Sequence, residues 1–155
     1  MAIRVLFVCL GNICRSPMAE AVFQKMVDDA GLSAMIEVDS VGTGDYHTGE
    51  RAHPGTLRVL KQQSIAYNGR ARQINKADVR DPSTYVIVMD HANLAHVRRH
   101  FGNLPHHHPL LDFATGTALR DVPDPYFTGN FDEVFQLVSN GSRGLLATIR
   151  KQEGL

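Results

Sequence analysis

Apolar residues fall along the chain in two kinds of run, short unbroken stretches and longer ones spaced at helical intervals. Ile3, Val5, Leu6, Phe7 and Val8 fill the stretch that ends at Cys9. A strand apolar on both faces belongs inside a parallel sheet that helices cover. After Ser16-Pro17 the spacing changes, with Met18, Ala21, Val22 and Met26 on one face and Gly31 closing the run. A capping Ser followed by Pro predicts a helix that starts there. A second strand is predicted over 35–38, then a turn through Ser40-Val41-Gly42-Thr43-Gly44, then a helix over 54–63 that buries Leu57 and Leu60. Residues 85–89 form a third β-branched, apolar run, followed by Asp90 and a helix over 92–100. A short strand at 109–111 and a long loop over 112–128, containing Pro123-Asp124-Pro125, lead to a closing helix over 130–149. That helix carries Phe131, Val134, Phe135, Val138 and Leu145 on one side, and Gly141-Ser142 is expected to loosen it. Alternating strands and helices predict an α/β layer fold, whose ligands bind at the carboxyl ends of the strands. Cys9 ends the first of those strands.

The 155 residues suit one domain, and no repeat or linker divides them. Sixteen Lys+Arg balance sixteen Asp+Glu. Without a positive surplus, nothing draws the whole molecule to nucleic acid or an anionic membrane, so an anion site has to be built locally. No apolar run approaches the roughly 20 residues of a membrane span. Met1-Ala2-Ile3-Arg4 leads directly into the first strand, which argues against a signal peptide. Cys9 and Cys14 are too close together to staple a fold of this size. They read as reactive thiols in a cytoplasmic protein.

The stretch Cys9-Leu10-Gly11-Asn12-Ile13-Cys14-Arg15-Ser16 has the parts of an anion site. A strand enters a short loop and a helix leaves it, so successive N–H groups converge with the positive helix end behind them. Gly11 and Asn12 tolerate the left-handed backbone angles of a tight loop. Arg15 offers a planar fork to two phosphoryl oxygens. The same field favours the ionised thiol at Cys9, poised beneath a phosphorus atom held in the loop. These parts describe phosphoryl transfer through a cysteinyl-phosphate, and they demand no metal. Taken alone, a Cys at a strand end is more often a small buried hydrophobe, and Asp124 would be a solvated turn residue. A Walker-type nucleotide loop is excluded, because the Gly-Lys-Ser/Thr segment is missing.

Val8 to Pro17 resembles the signature of the low-molecular-weight protein tyrosine phosphatases. The likeness extends through Ser40-Val41-Gly42-Thr43, Ala71-Arg72-Gln73, Val88-Met89-Asp90 with Asn93, and Asp124-Pro125-Tyr126-Phe127. It implies a flavodoxin-like α/β fold, a four-stranded parallel sheet with helices on both faces, and cofactor-free hydrolysis of phosphotyrosine monoesters. By resemblance Cys9 is the nucleophile, Arg15 the phosphate-binding arginine, and Ser16 a hydroxyl that eases thiolate departure. Asn12 shapes the loop with Ser40 among its supports, and Asp124 is the general acid and base. Leu10, Gly11, Ile13 and Cys14 complete the substrate-binding loop, with Tyr46 and Tyr126 expected as aromatic walls. Pro123 and Pro125 stiffen the approach to Asp124.

Cys14 has two readings, a buried packing residue or a resolving thiol that protects an oxidised Cys9 as a disulfide. Ile13 favours phosphotyrosine over phosphoarginine, since relatives specialised for the latter carry Thr there. Gly69 replaces a His that supports the loop-shaping Asn in some relatives, Thr84 stands where Asp is common, and Phe127 replaces a second Tyr. His106-His107-His108 reads as a solvated loop rather than a metal site. His91, His96, His100 and Arg98-Arg99 read as a solvated helix face. The expected partners are tyrosine-phosphorylated proteins, with the chain a monomer or weak homodimer. Rival readings are a phosphoarginine phosphatase, an arsenate reductase, which needs further cysteines, and a non-catalytic phosphate-binding or redox-sensing module.

Overall fold

The apolar run at the amino terminus forms strand β1 (Ile3–Cys9), and its side chains alternate between two cores. Val5, Phe7 and Cys9 enter one cluster, while Leu6 and Val8 enter the other. The computed structural model describes residues 2–155, so the expectation at Met1 lies outside the described residues. Strands β2 (Ile36–Gly42), β3 (Tyr85–Val88) and β4 (His107–Pro109) complete a four-stranded parallel sheet in the order β2-β1-β3-β4. Helices α1 (Arg15–Asp29), α2 (Pro54–Gln62) and α5 (Phe131–Glu153) cover the core that contains Phe7. On the opposite face, α3 (His91–Phe101) buries Leu94 and Val97 against Leu6, Val8, Val86 and Val88. A short α4 (Pro125–Thr128) precedes α5. The chain winds outward from β1 to β2 and then returns to β3 on the other side. This is the doubly wound, flavodoxin-like arrangement, and the carboxyl ends of β1 and β3 form its switch point.

Several local expectations are corrected. The small residues read as a turn belong to β2, and Ser40, Val41 and Gly42 are buried within it. Gly42 serves close approach rather than a turn: a Cβ there would lie 2.9 Å from the Leu10 carbonyl oxygen. In α2, Leu60 is buried together with Thr56 and Val59, whereas Leu57 is only half-buried.

The His106-His107-His108 segment is not a solvated loop. His107 lies buried in β4 and accepts a hydrogen bond from Arg98 Nε at 3.1 Å, while His106 stacks on Tyr85 at 4.8 Å. The strand therefore ends at Pro109, and residues Leu110–Phe113 turn as a 3-10 helix. In α5, Gly141-Ser142 does not loosen the helix. Both are buried, and a Cβ on Gly141 would come within 2.7 Å of Leu110. Glycine at position 141 lets the 110–113 turn seat directly on the helix.

Candidate active site

From β1 the chain turns through residues 10–14 before α1 leaves. Asn12 makes the turn possible by adopting a φ of 56°, a left-handed value that Asn tolerates better than most residues. The turn's carbonyls point outward into neighbouring segments. The Cys9 oxygen accepts from the Thr43 N–H at 2.8 Å, Leu10 from Gly44 at 2.9 Å, and Ile13 from His53 at 2.7 Å. Cys14's carbonyl accepts from the Thr56 hydroxyl at 3.0 Å. A turn with its carbonyls held outside directs its N–H groups inward. Among these, the Asn12 N–H reaches Cys9 Sγ at 3.3 Å.

The helix behind this turn starts two residues earlier than expected, at Arg15 rather than Pro17, and its cap position Cys14 supplies no side-chain bond. Ser16 is therefore not a cap. It is fully buried in the first helical turn, with Oγ 3.0 Å from Cys9 Sγ and 3.3 Å from the Val41 carbonyl. The hydrogen-bond directions follow from Asn12. The Arg72 backbone N–H donates to Asn12 Oδ1 at 3.0 Å, which orients the amide. Asn12 Nδ2 then donates to Ser16 Oγ at 2.8 Å and to Ser40 Oγ at 3.0 Å. Because Ser16 receives that hydrogen, its own proton is available to the Cys9 sulfur or to Val41.

Arg15 is buried, with 3% of its side chain exposed. Its Nη1 donates to Asp90 Oδ2 at 2.6 Å and to the Val122 carbonyl at 3.0 Å, and Nη2 lies 3.4 Å from Asp124 Oδ2. Burial opposes its charge, but Cys9, Asp90 and Asp124 together outweigh burial and hold the guanidinium above its ordinary pKa. Asp124 caps α4, with Oδ1 accepting from the Tyr126 N–H at 3.1 Å. Its other oxygen faces Arg15.

One pocket collects Cys9, Leu10, Gly11, Ile13, Cys14 and Arg15 with Asp124, Tyr126 and Phe127. Asn12 and Ser40 stand behind the turn rather than in the lining. Tyr46 also lies outside the lining, 72% exposed, with its ring against Gly44. The apolar wall opposite the turn is Tyr126 with Phe127, whose rings meet edge to face at 5.2 Å, and His47 leans on Tyr126 at 5.9 Å. Cys9 and Cys14 are free thiols. Among the described residues, no group of three or more His, Cys, Asp or Glu side chains is placed to share a metal ion.

Sequence reasoning did not assign a role to Asp90, Arg72 or Phe127. An acidic residue directly after the strand beside β1 was the available signal for Asp90. Arg72 acts through its backbone, which no pattern of side chains reveals. Its guanidinium is tied to Asp39 at 2.8 Å and Asp78 at 2.7 Å, and these bonds hold the segment that orients Asn12.

Residues 4–154 match the family model of low molecular weight phosphotyrosine protein phosphatases. The chain is 47% identical over 156 residues to the low molecular weight protein-tyrosine-phosphatase YfkJ of Bacillus subtilis, covering 99% of each protein. It is 40% identical over 154 residues to PtpA of Staphylococcus epidermidis, covering 99% of this chain and 97% of that protein. The crystal structure of YfkJ superposes with a TM-score of 0.94 at 46% identity, over 98% of this chain and 97% of that one. A protein tyrosine phosphatase from Entamoeba histolytica superposes at 0.89 with 30% identity, over 99% of each chain.

Proposed function

The chain belongs to the low molecular weight phosphotyrosine protein phosphatases, and on that premise we propose that it hydrolyses phosphotyrosine through two phosphoryl transfers at Cys9. The observation that carries this reading is the convergence of Cys9, Arg15 and Asp124 on one pocket, with Ser16 Oγ 3.0 Å behind the sulfur. Arg15 and the inward N–H groups of the turn bind the phosphoryl oxygens, which supplies positive charge without a basic protein. Cys9 Sγ attacks phosphorus, the ester P–O bond breaks, and Asp124 donates its proton to the departing phenolic oxygen. Water then attacks the phosphocysteine and gives a proton back to Asp124. The S–P bond breaks, and the electron pair returns to a sulfur that receives the Ser16 hydrogen bond.

Tyr126 and Phe127 supply flat walls that suit a phenyl ring, and proteins bearing phosphotyrosine are the substrates this pocket favours. Ile13 in the lining offers a guanidinium only apolar contact, which weighs against phosphoarginine. The chain has two cysteines, which leaves an arsenate reductase without its electron relay. A binding-only module has no use for Asp124 beside Arg15. Hydrolysis of 4-nitrophenyl phosphate in the presence of chelator tests the reading. Wild type turns over and Cys9→Ser does not; equal activity in the two would exclude it.

A further inference from the structure

The hydrogen-bond chain behind Cys9 does not end at Ser40. The Ser40 hydroxyl donates to Glu20 Oε1 at 2.6 Å, and the Tyr67 hydroxyl donates to the same oxygen at 3.0 Å. Glu20 and Tyr67 also line a surface groove, separate from the Cys9 pocket, with Gln24, Lys25 and Ala66. Burial pushes the Glu20 carboxyl up, and the Ser40 and Tyr67 hydroxyls pull against that, with Asp39 raising and Arg72 lowering it further. Holding a carboxylate half-buried is costly unless something needs a pure acceptor there.

We propose that Glu20 is a positioning residue for the phosphatase reaction, because its carboxylate ends the chain Ser16–Asn12–Ser40–Glu20 and takes the Ser40 proton, which keeps Ser40 an acceptor for the Asn12 amide. A hydroxyl has one proton. Glu20 takes the proton of Ser40, so Ser40 Oγ is left as an acceptor for Asn12 Nδ2. Asn12, oriented by the Arg72 N–H, also donates to Ser16, whose proton remains for the Val41 carbonyl or, once charge gathers on it, the Cys9 sulfur. The Arg72 N–H fixes the Asn12 amide at the inner end, and only an ionised carboxylate makes the outer end acceptor-only. The inference rests on Cys9 being the nucleophile. Ser16 matters most when the S–P bond breaks and charge returns to sulfur, so the influence of Glu20 falls on phosphoenzyme hydrolysis rather than on substrate binding.

In Glu20→Gln the amide competes as a donor toward Ser40, and the directional order is lost. With 4-nitrophenyl phosphate, kcat should fall about tenfold, the size of one weakened charge-assisted hydrogen bond. The burst of nitrophenol in the first turnover should keep its amplitude, and inhibition by inorganic phosphate should stay unchanged. Ser40→Ala cuts the chain at the next link and should show the same split. The double variant should be no slower than either single one, because both act through one path. A kcat within about twofold of wild type would overturn the proposal. So would a burst that shrinks in step with kcat, which marks loss of active protein, or additive losses in the double variant. Should Glu20→Gln fail to fold, Ser40→Ala decides by the same split in kcat and burst. Cys9→Ser separates the two claims: activity there removes the parent reading, whereas a dead Cys9→Ser beside a normal Glu20→Gln removes only the role of Glu20.

Discussion

Arg15 Nη1 lies 2.6 Å from Asp90 Oδ2, and the other oxygen of that carboxylate caps α3 by accepting the Asn93 N–H at 2.7 Å. One acidic residue thus joins the helix that follows β3 to the guanidinium that follows β1. Asp90→Asn keeps a good cap but loses the charge, so the two roles separate. Its kcat/KM for an aryl phosphate should fall by at least about tenfold, while its melting temperature stays close to wild type. Asp90→Ala should in addition lose about 1 kcal/mol of stability with the cap. Steady-state kinetics and thermal unfolding of both variants check this.

Asp124 stands 3.4 Å from Arg15 Nη2, with its other oxygen engaged as the cap of α4. A general acid matters most when the departing oxygen is a poor leaving group. Asp124→Ala should lose more activity on phenyl phosphate than on 4-nitrophenyl phosphate. Equal losses on the two would take Asp124 out of the acid role.

Phe127 is 75% exposed and lines the pocket beside Tyr126, whereas Tyr46 does not line it. Phe127→Ala should raise KM for a phosphotyrosyl peptide by about threefold to tenfold, the loss of one aromatic contact. Inhibition by inorganic phosphate, which never touches the wall, should be unaltered. Tyr46→Ala should change KM less than Phe127→Ala does.

The Cys14 thiol is pushed up to about 12, chiefly by burial, then by Asp124 and Cys9, against the pull of Arg15. It is protonated near neutrality, and only the thiolate attacks an oxidised sulfur. Mild peroxide should inactivate the protein, and a dithiol should restore wild type more fully than Cys14→Ala. The restored fraction should grow as the oxidation is carried out at higher pH, because more Cys14 is ionised as pH rises toward that value. Equal recovery in the two proteins would show that Cys14 is packing alone.

A Cβ on Gly144 would lie 1.8 Å from the Phe113 carbonyl oxygen. Backbone cannot yield there as a side chain does. Gly144→Ala should cost about 3 kcal/mol or more, read from denaturant unfolding, despite the gain in helix propensity.

The elements that lie along a run of apolar residues were legible from their period alone. β1 and part of the buried face of α1 follow directly from Ile3–Cys9 and from Met18, Ala21 and Val22, whereas Phe23 and Val27, also buried there, lie outside the predicted stripe. The failures share a cause. Ser40-Val41-Gly42 reads as a turn because of its Ser and Gly, yet Gly42 is there because Leu10 and Asn12 pack onto it. His107 reads as polar surface because nothing local announces Arg98 as its partner. In the site, Cys9 and Arg15 stand in one motif that the chain order displays, whereas Asp124 alone reads as a solvated turn and is singled out only by the family resemblance. The groups that hold them, Asp90 on Arg15 and the Arg72 N–H on Asn12, lie 75 and 60 residues away and are brought there only by the fold.

The central claim is a covalent bond between Cys9 and phosphorus. Rapid mixing of the wild-type protein with an aryl phosphate, acid quenching within one turnover and peptide mass spectrometry test it directly. The prediction is one added phosphoryl group on the peptide that contains Cys9, disappearing as inorganic phosphate accumulates. Turnover at the full rate with Cys9 never modified, or with the phosphoryl group on another residue, would contradict it.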